Sequence, residues 1–69
     1  MSKTFVLNIR NLETAEDAAK IEDFFMKKTG VEEVEVEMDL NIVSLRYNDT
    51  FGSPYKFLEA FEQLGYPVR

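Results

Sequence analysis

Apolar and polar positions alternate with two different periods along this chain, and the switches between them outline the fold. Over residues 4–10, Phe5, Leu7 and Ile9 fall on one side and Val6, Asn8 and Arg10 on the other, the period-two pattern of a half-buried strand. From residue 15 to about 28 the spacing changes: Ala18, Ile21 and Phe25 recur at i, i+3 and i+7, with Phe24 widening the stripe and Gly30 as a stop. Alternation returns with Val34, Val36 and Met38 among Glu33, Glu35 and Glu37. After a turn over 39–42 it continues with Val43, Leu45 and Tyr47 against Ser44 and Arg46. Matching the apolar faces predicts a hairpin that pairs Val36 with Leu45 and sets Glu35 opposite Arg46.

A second helical segment starts at Ser53-Pro54, where serine can cap free amides and proline at the first helical position loses no needed donor. Phe57, Ala60, Phe61 and Leu64 form its stripe, and Gly65 ends it. Residues 66–68 leave space for one short strand. The order β-α-β-β-α-β predicts an α+β, ferredoxin-like domain: a four-stranded antiparallel sheet with two helices on one face, as a single domain over residues 1–69.

Composition narrows the function classes. The chain has 69 residues, 45% of them hydrophobic, enough to build one small core. It contains neither cysteine nor histidine, which removes disulfides, thiolate chemistry and every thiol-based or imidazole metal site. A formal charge of −5 opposes docking on nucleic acid or anionic lipid, both of which need cations to neutralise phosphate. The opening MSKTFVLNIRN alternates rather than running apolar, so neither a leader peptide nor a membrane insertion is expected and the default setting is cytoplasmic. Without Cys or His no catalytic constellation emerges, and neither an enzyme nor a cofactor is expected.

The segment Asn11-Leu12-Glu13-Thr14-Ala15-Glu16-Asp17-Ala18-Ala19-Lys20-Ile21-Glu22 matches, position for position, the pattern G-M-T-C-x-x-C-A-x-x-I-E. Gly30-Val31, the two alternating runs, and Ala60, Phe61, Gly65 and Tyr66 continue the match. On these residues the chain resembles the heavy-metal-associated domain family, the small copper chaperones and amino-terminal modules of metal-pumping ATPases. In that family two thiolates clasp a soft ion. Thr14 and Asp17 stand at both cysteine positions here, Asn11 replaces the glycine, and Lys28 replaces a leucine. Soft Cu(I) selects sulfur, whereas hydroxyl and carboxylate oxygens suit harder ions, so no metal is expected at Thr14 and Asp17.

Those two residues instead complete the pattern [ST]-x-x-[DE] ahead of an apolar-periodic run, the signature of a capping box. Glu13, Glu16 and Asp17 could alternatively gather a hard divalent cation, but no oxygen-rich ligand loop surrounds them. The acidic run Glu32, Glu33, Glu35 and Glu37 reads as the solvated face of an edge strand rather than a docking strip. Tyr47, Tyr55 and Tyr66 read as core or rim packing, and Lys20, Lys27 and Lys28 as surface charge along one helix. The resemblance implies a non-enzymatic interaction module whose candidate docking loop is Asn11, Leu12, Glu13, Thr14, Glu16 and Asp17, with Tyr66 beside it. The expected partner is a protein, with a metal-transporter component among the candidates. The alternative is a divergent member of a metal-transport or metallochaperone system with a residual or harder-cation site. The small apolar patch of Val6 and Ile42 on the open sheet face fits a monomer or weak homodimer.

Overall fold

A computed structural model describes residues 1–68. The elements are β1 (Ser2–Asn8), α1 (Ala15–Met26), β2 (Val31–Glu37), a short 3-10 turn (Met38–Leu40), β3 (Ile42–Asn48) and α2 (Pro54–Leu64). The strands form an antiparallel sheet in the order β1-β3-β2, so β3 is paired on both sides. Leu7, Val43, Leu45 and Tyr47 point inward and meet Ile21 and Phe25 of α1 and Phe57, Ala60 and Phe61 of α2 in one buried cluster. Both helices therefore cover the same sheet face, and Val6, Ser44 and Arg46 remain on the other.

Phe25 sits at the centre. Its ring stacks on Phe61 at 4.2 Å and 28°, meets Phe57 edge-on at 6.4 Å, and has Phe24 edge-on at 5.1 Å. Such pairs contribute about 0.5–1.5 kcal/mol each beyond the area they bury. The fifth ring is reached through Phe57, which lies edge-on to Tyr47 at 5.1 Å and thereby joins α2 to β3.

Four details depart from the sequence expectations. The sheet has three strands among the described residues, and the fourth is reduced to a single bridge between Ile9 and Val68. Pro67 accounts for this: it has no N–H to donate to a ladder, and only its carbonyl is used, accepting from the Arg10 amide at 2.9 Å. The hairpin register is two residues from the expected one: Val36 faces Val43, Val34 faces Leu45, and Glu35 faces Ser44. Arg46 consequently pairs with Glu33 at 3.0 Å, with Glu32 at 3.6 Å, and not with Glu35. The turn closes one residue earlier than expected because Met38 leaves the strand for the 3-10 turn and Asn41 adopts a left-handed conformation (φ 54°), which asparagine tolerates. Ser53 has extended backbone and precedes Pro54 as expected, but its side chain makes no capping hydrogen bond. Finally, α1 ends at Met26 rather than near Lys28, with Gly30 at φ 90° three residues past the Lys27 cap and one before the next strand.

Gly52 is fixed by lack of space. A Cβ there would lie 2.9 Å from Cζ of Phe57 and 3.1 Å from Cδ2 of Tyr47, against two rings of the core. Phe25→Ala is expected to lose about 3–5 kcal/mol, most or all of the stability of a domain this small. Gly52→Ala is expected to lower the urea midpoint at unchanged slope, which equilibrium unfolding followed by circular dichroism would check.

Candidate functional site

The loop between β1 and α1 is built to present a helix start. Asn11 takes φ 66°, a left-handed conformation natural to glycine and tolerated by asparagine. This explains how the loop keeps its course without the glycine. Leu12 turns into the core at 4% exposure, so it anchors the loop and offers nothing to a partner. Thr14 then caps α1 with extended backbone, its Oγ1 accepting from the Asp17 amide at 3.2 Å. Asp17 Oδ2 returns the contact, accepting from the Thr14 amide at 2.9 Å and the Glu13 amide at 3.0 Å. The capping box is therefore formed in both directions.

A further donor completes the arrangement. The Tyr66 hydroxyl, from the segment after α2, donates to Asp17 Oδ1 at 2.5 Å. Tyr66 is itself buried, 5% exposed, and the Lys20 ammonium lies over its ring at 5.7 Å. The Asp17 carboxyl is held down at about 2, first by the Tyr66 hydroxyl and then by the two amides. Tyr66 is pushed up to about 12, chiefly because its proton is shared with that carboxylate, with burial adding to the effect. The two shifts describe one bond seen from its two ends.

The loop is also tied from below. The Ile9 amide donates to the Asn41 carbonyl at 2.8 Å. The Asn41 side-chain amide, oriented to donate, reaches the Leu12 and Met38 carbonyls at 3.1 Å each. Asn11 Nδ2 lies 3.5 Å from the Gly65 carbonyl. Asn41 is absent from the sequence-derived site; its only advance signal is that asparagine is favoured at a turn position needing positive φ.

Chemically this is an anion's environment. Three donors converge on one carboxylate at a helix N-terminus, whose dipole also favours negative charge. Both Asp17 oxygens are engaged before any ion arrives. Of the residues expected in the docking loop, Thr14, Asp17 and Tyr66 come together as one bonded group; Asn11, Glu13 and Glu16 are exposed, while Leu12 and Tyr66 are buried. Among the described residues no group of three or more Asp, Glu, His or Cys side chains is placed to hold an ion. The acidic residues of β2 are partly spoken for: Glu32 accepts from the Ser2 hydroxyl at 2.7 Å, Glu33 pairs with Arg46, and the Glu35 carboxyl is pushed up, first by its hydrogen bond and charge contact with Glu33. Tyr47 packs in the core, whereas Tyr55 is 80% exposed on the first turn of α2. No helix among the described residues is long and apolar enough to cross a membrane.

Known structures share this architecture. Oxidized MerP from Ralstonia metallidurans CH34 superposes with a TM-score of 0.90 at 20% identity, covering 100% of this chain and 96% of that one. The CopZ metallochaperone gives 0.92 at 22%, covering 97% and 100%. The N-terminal domain of a potential copper-translocating P-type ATPase from Bacillus subtilis, solved in its Cu(I)-loaded state, gives 0.91 at 29%, covering 100% and 86%. No protein-family model and no curated protein matches the chain. The structural neighbours are heavy-metal-associated domains; this chain shares their fold over its whole length and contains no cysteine.

Because the folded-state Asp17 carboxyl titrates below its unfolded value, its contribution is complete above about pH 5 and is lost as pH falls through about 4 toward 2. Tyr66→Phe removes the largest cause of that depression. It is expected to raise the Asp17 titration midpoint and move acid unfolding to higher pH, read by carboxyl-carbon NMR and far-ultraviolet circular dichroism. Thr14→Ala is expected to cost about 1 kcal/mol through the lost cap.

Proposed function

We propose that this chain is a non-enzymatic interaction module, a heavy-metal-associated-like domain that has given up its soft-metal site and docks on a protein partner through the loop around residues 11–17. The observation that carries this reading is the state of Asp17. At the position of the second thiolate stands a carboxylate whose oxygens already accept from the Glu13 and Thr14 amides and from Tyr66. A cation there would have to displace three donors while facing the positive end of a helix dipole. Cu(I), which favours sulfur, would gain only hard oxygen ligands in exchange.

The surface left for docking is the exposed rim of Asn11, Glu13, Thr14 and Glu16, held rigid by the cap beneath it. A preorganised loop pays less ordering entropy on binding than a free one. Neighbours that are metallochaperones or ATPase modules make a component of a metal transporter a reasonable partner class, in a cytoplasmic setting. The alternative of a residual hard-cation site would require Asp17 to break its bonds and recruit Glu13 and Glu16 as ligands.

Two experiments test the reading. Titration of nitrogen-15-labelled protein with Cu(I), Zn(II), Mn(II) and Ca(II) is expected to leave the amides of residues 11–17 unmoved, whereas the double variant Thr14→Cys/Asp17→Cys is expected to bind Cu(I) on the same scaffold. Stoichiometric binding of any of these ions by the unmodified chain would overturn the loss of the metal site. For docking, Glu13→Lys/Glu16→Lys reverses two exposed charges and leaves the cap intact. It is expected to abolish capture of a partner from the native extract, and undiminished capture would exclude the loop as the contact surface.

A further inference from the structure

The sheet leaves one edge open, and that edge has a definite chemistry. β2 is paired with β3 on one side only. Among the described residues, the backbone of residues 33–36 makes no hydrogen bond other than those of that ladder. Opposed residues of an antiparallel ladder alternate between bonded and non-bonded pairs, so every second residue of β2 turns its amide and carbonyl away from the sheet. On the face not covered by the helices Glu33, Glu35 and Glu37 stand in one column, beside Arg46, Ser44 and Ile42 of β3. Arg46 reaches Glu33 at 3.0 Å and Glu32 at 3.6 Å. Among the described residues Glu35 and Glu37, both exposed, have no cation within ion-pair distance. On the helix side Val34 and Val36 are only partly buried against the core, which leaves apolar surface at the same rim. The acidic run alone reads as a solvated face; the structure adds the open backbone and the uncompensated charge beside it.

We propose that this edge takes up an extended segment of a partner protein as an added strand, one in which basic and apolar residues alternate. The outward amides and carbonyls of β2 supply its main-chain hydrogen bonds, and the alternation selects its side chains. Directly opposed side chains in a sheet lie about 5 Å apart, close enough for an ion pair. A basic-apolar-basic-apolar-basic segment thus sets its cations beside Glu33, Glu35 and Glu37 and its apolar side chains beside Val34 and Val36. The pattern is the same in both directions, so it fits whichever way the segment runs. A second copy of this chain is a poor occupant, because β2 laid against β2 sets glutamates against glutamates. The charge that guards the edge against self-pairing is therefore the charge that admits a cationic strand. This assignment shares with the preceding section only the premise that the domain acts by docking, and it uses a different surface.

The test uses the full chain, labelled with nitrogen-15, and four blocked nine-residue peptides in which serine and glycine flank five central residues. The first has Lys-Val-Lys-Val-Lys at its centre, the second Glu-Val-Glu-Val-Glu, and the third Lys-Lys-Val-Val-Lys, which keeps the composition and breaks the alternation. The fourth repeats the first with its five central amides N-methylated, so that charge is kept and strand pairing is blocked. The first is expected to shift the amides of residues 33–37, to slow hydrogen exchange at those facing outward, and to bind more tightly than the other three. Glu35→Lys/Glu37→Lys, both at exposed positions, is expected to weaken it at least about tenfold, as two surface ion pairs become repulsive. The same variant is expected to gain affinity for the glutamate peptide, a swap that a merely destabilised fold would not produce. Glu13→Lys/Glu16→Lys is expected to bind the first peptide normally, so failure of the loop reading and failure of this one are distinguishable. The proposal is overturned if the third or fourth peptide binds as well as the first, by shifts confined to residues 11–17, by no shifts at several millimolar peptide, or by concentration-dependent shifts at residues 33–37 without peptide, which would show a second copy at the edge.

Discussion

One carboxylate joins three separated parts of this chain. Asp17 holds the loop through the Glu13 and Thr14 amides, begins α1 as its third residue, and captures Tyr66 from beyond α2. Each bond alone is ordinary. Together they define where α1 starts, how the loop lies across the end of the sheet, and where the last segment returns. Here hydrogen bonds within the protein draw these parts together. The substitution of both thiol positions is thus a coordinated exchange, since threonine and aspartate form a reciprocal cap that neither forms alone.

Charge is unevenly distributed about this group. Around the loop, Glu13 and Glu16 stay exposed beside a carboxylate that remains ionised far below neutral pH. Lys20 sets its ammonium over the Tyr66 ring beside this acidic group, and Lys28, two residues beyond the end of α1, sets its own over Phe24.

Much of this was legible in the sequence. The stripes Ile21/Phe25 and Phe57/Ala60/Phe61 are the buried faces of α1 and α2, and Thr14 with Asp17 forms the box that their spacing announced. The hairpin register was not legible, because a slip of two residues keeps every side chain on its own face and leaves the alternation unchanged. Only the left-handed Asn41 and the short 3-10 turn select the observed pairing. Among the described residues the reduction of the fourth strand to one bridge turns on Pro67, a residue whose cost depends on which edge its nitrogen faces. The Tyr66 hydroxyl bond joins residues 49 positions apart, beyond the reach of any local pattern. Gly52 carries no positive φ to advertise it; its requirement is the proximity of two rings.

The position of β3 between β1 and β2 has a temporal consequence. β2 and β3 are neighbours in sequence and can zip together across a short turn, whereas the pairing of β1 with β3 joins Ser2 to Asn48. During synthesis the first strand to emerge has no edge to pair with until β3 has followed it from the ribosome, and closing that long loop carries the larger entropic cost. The amino-terminal strand is thus the first made and among the last placed, and for that interval its apolar side chains are open to chaperones.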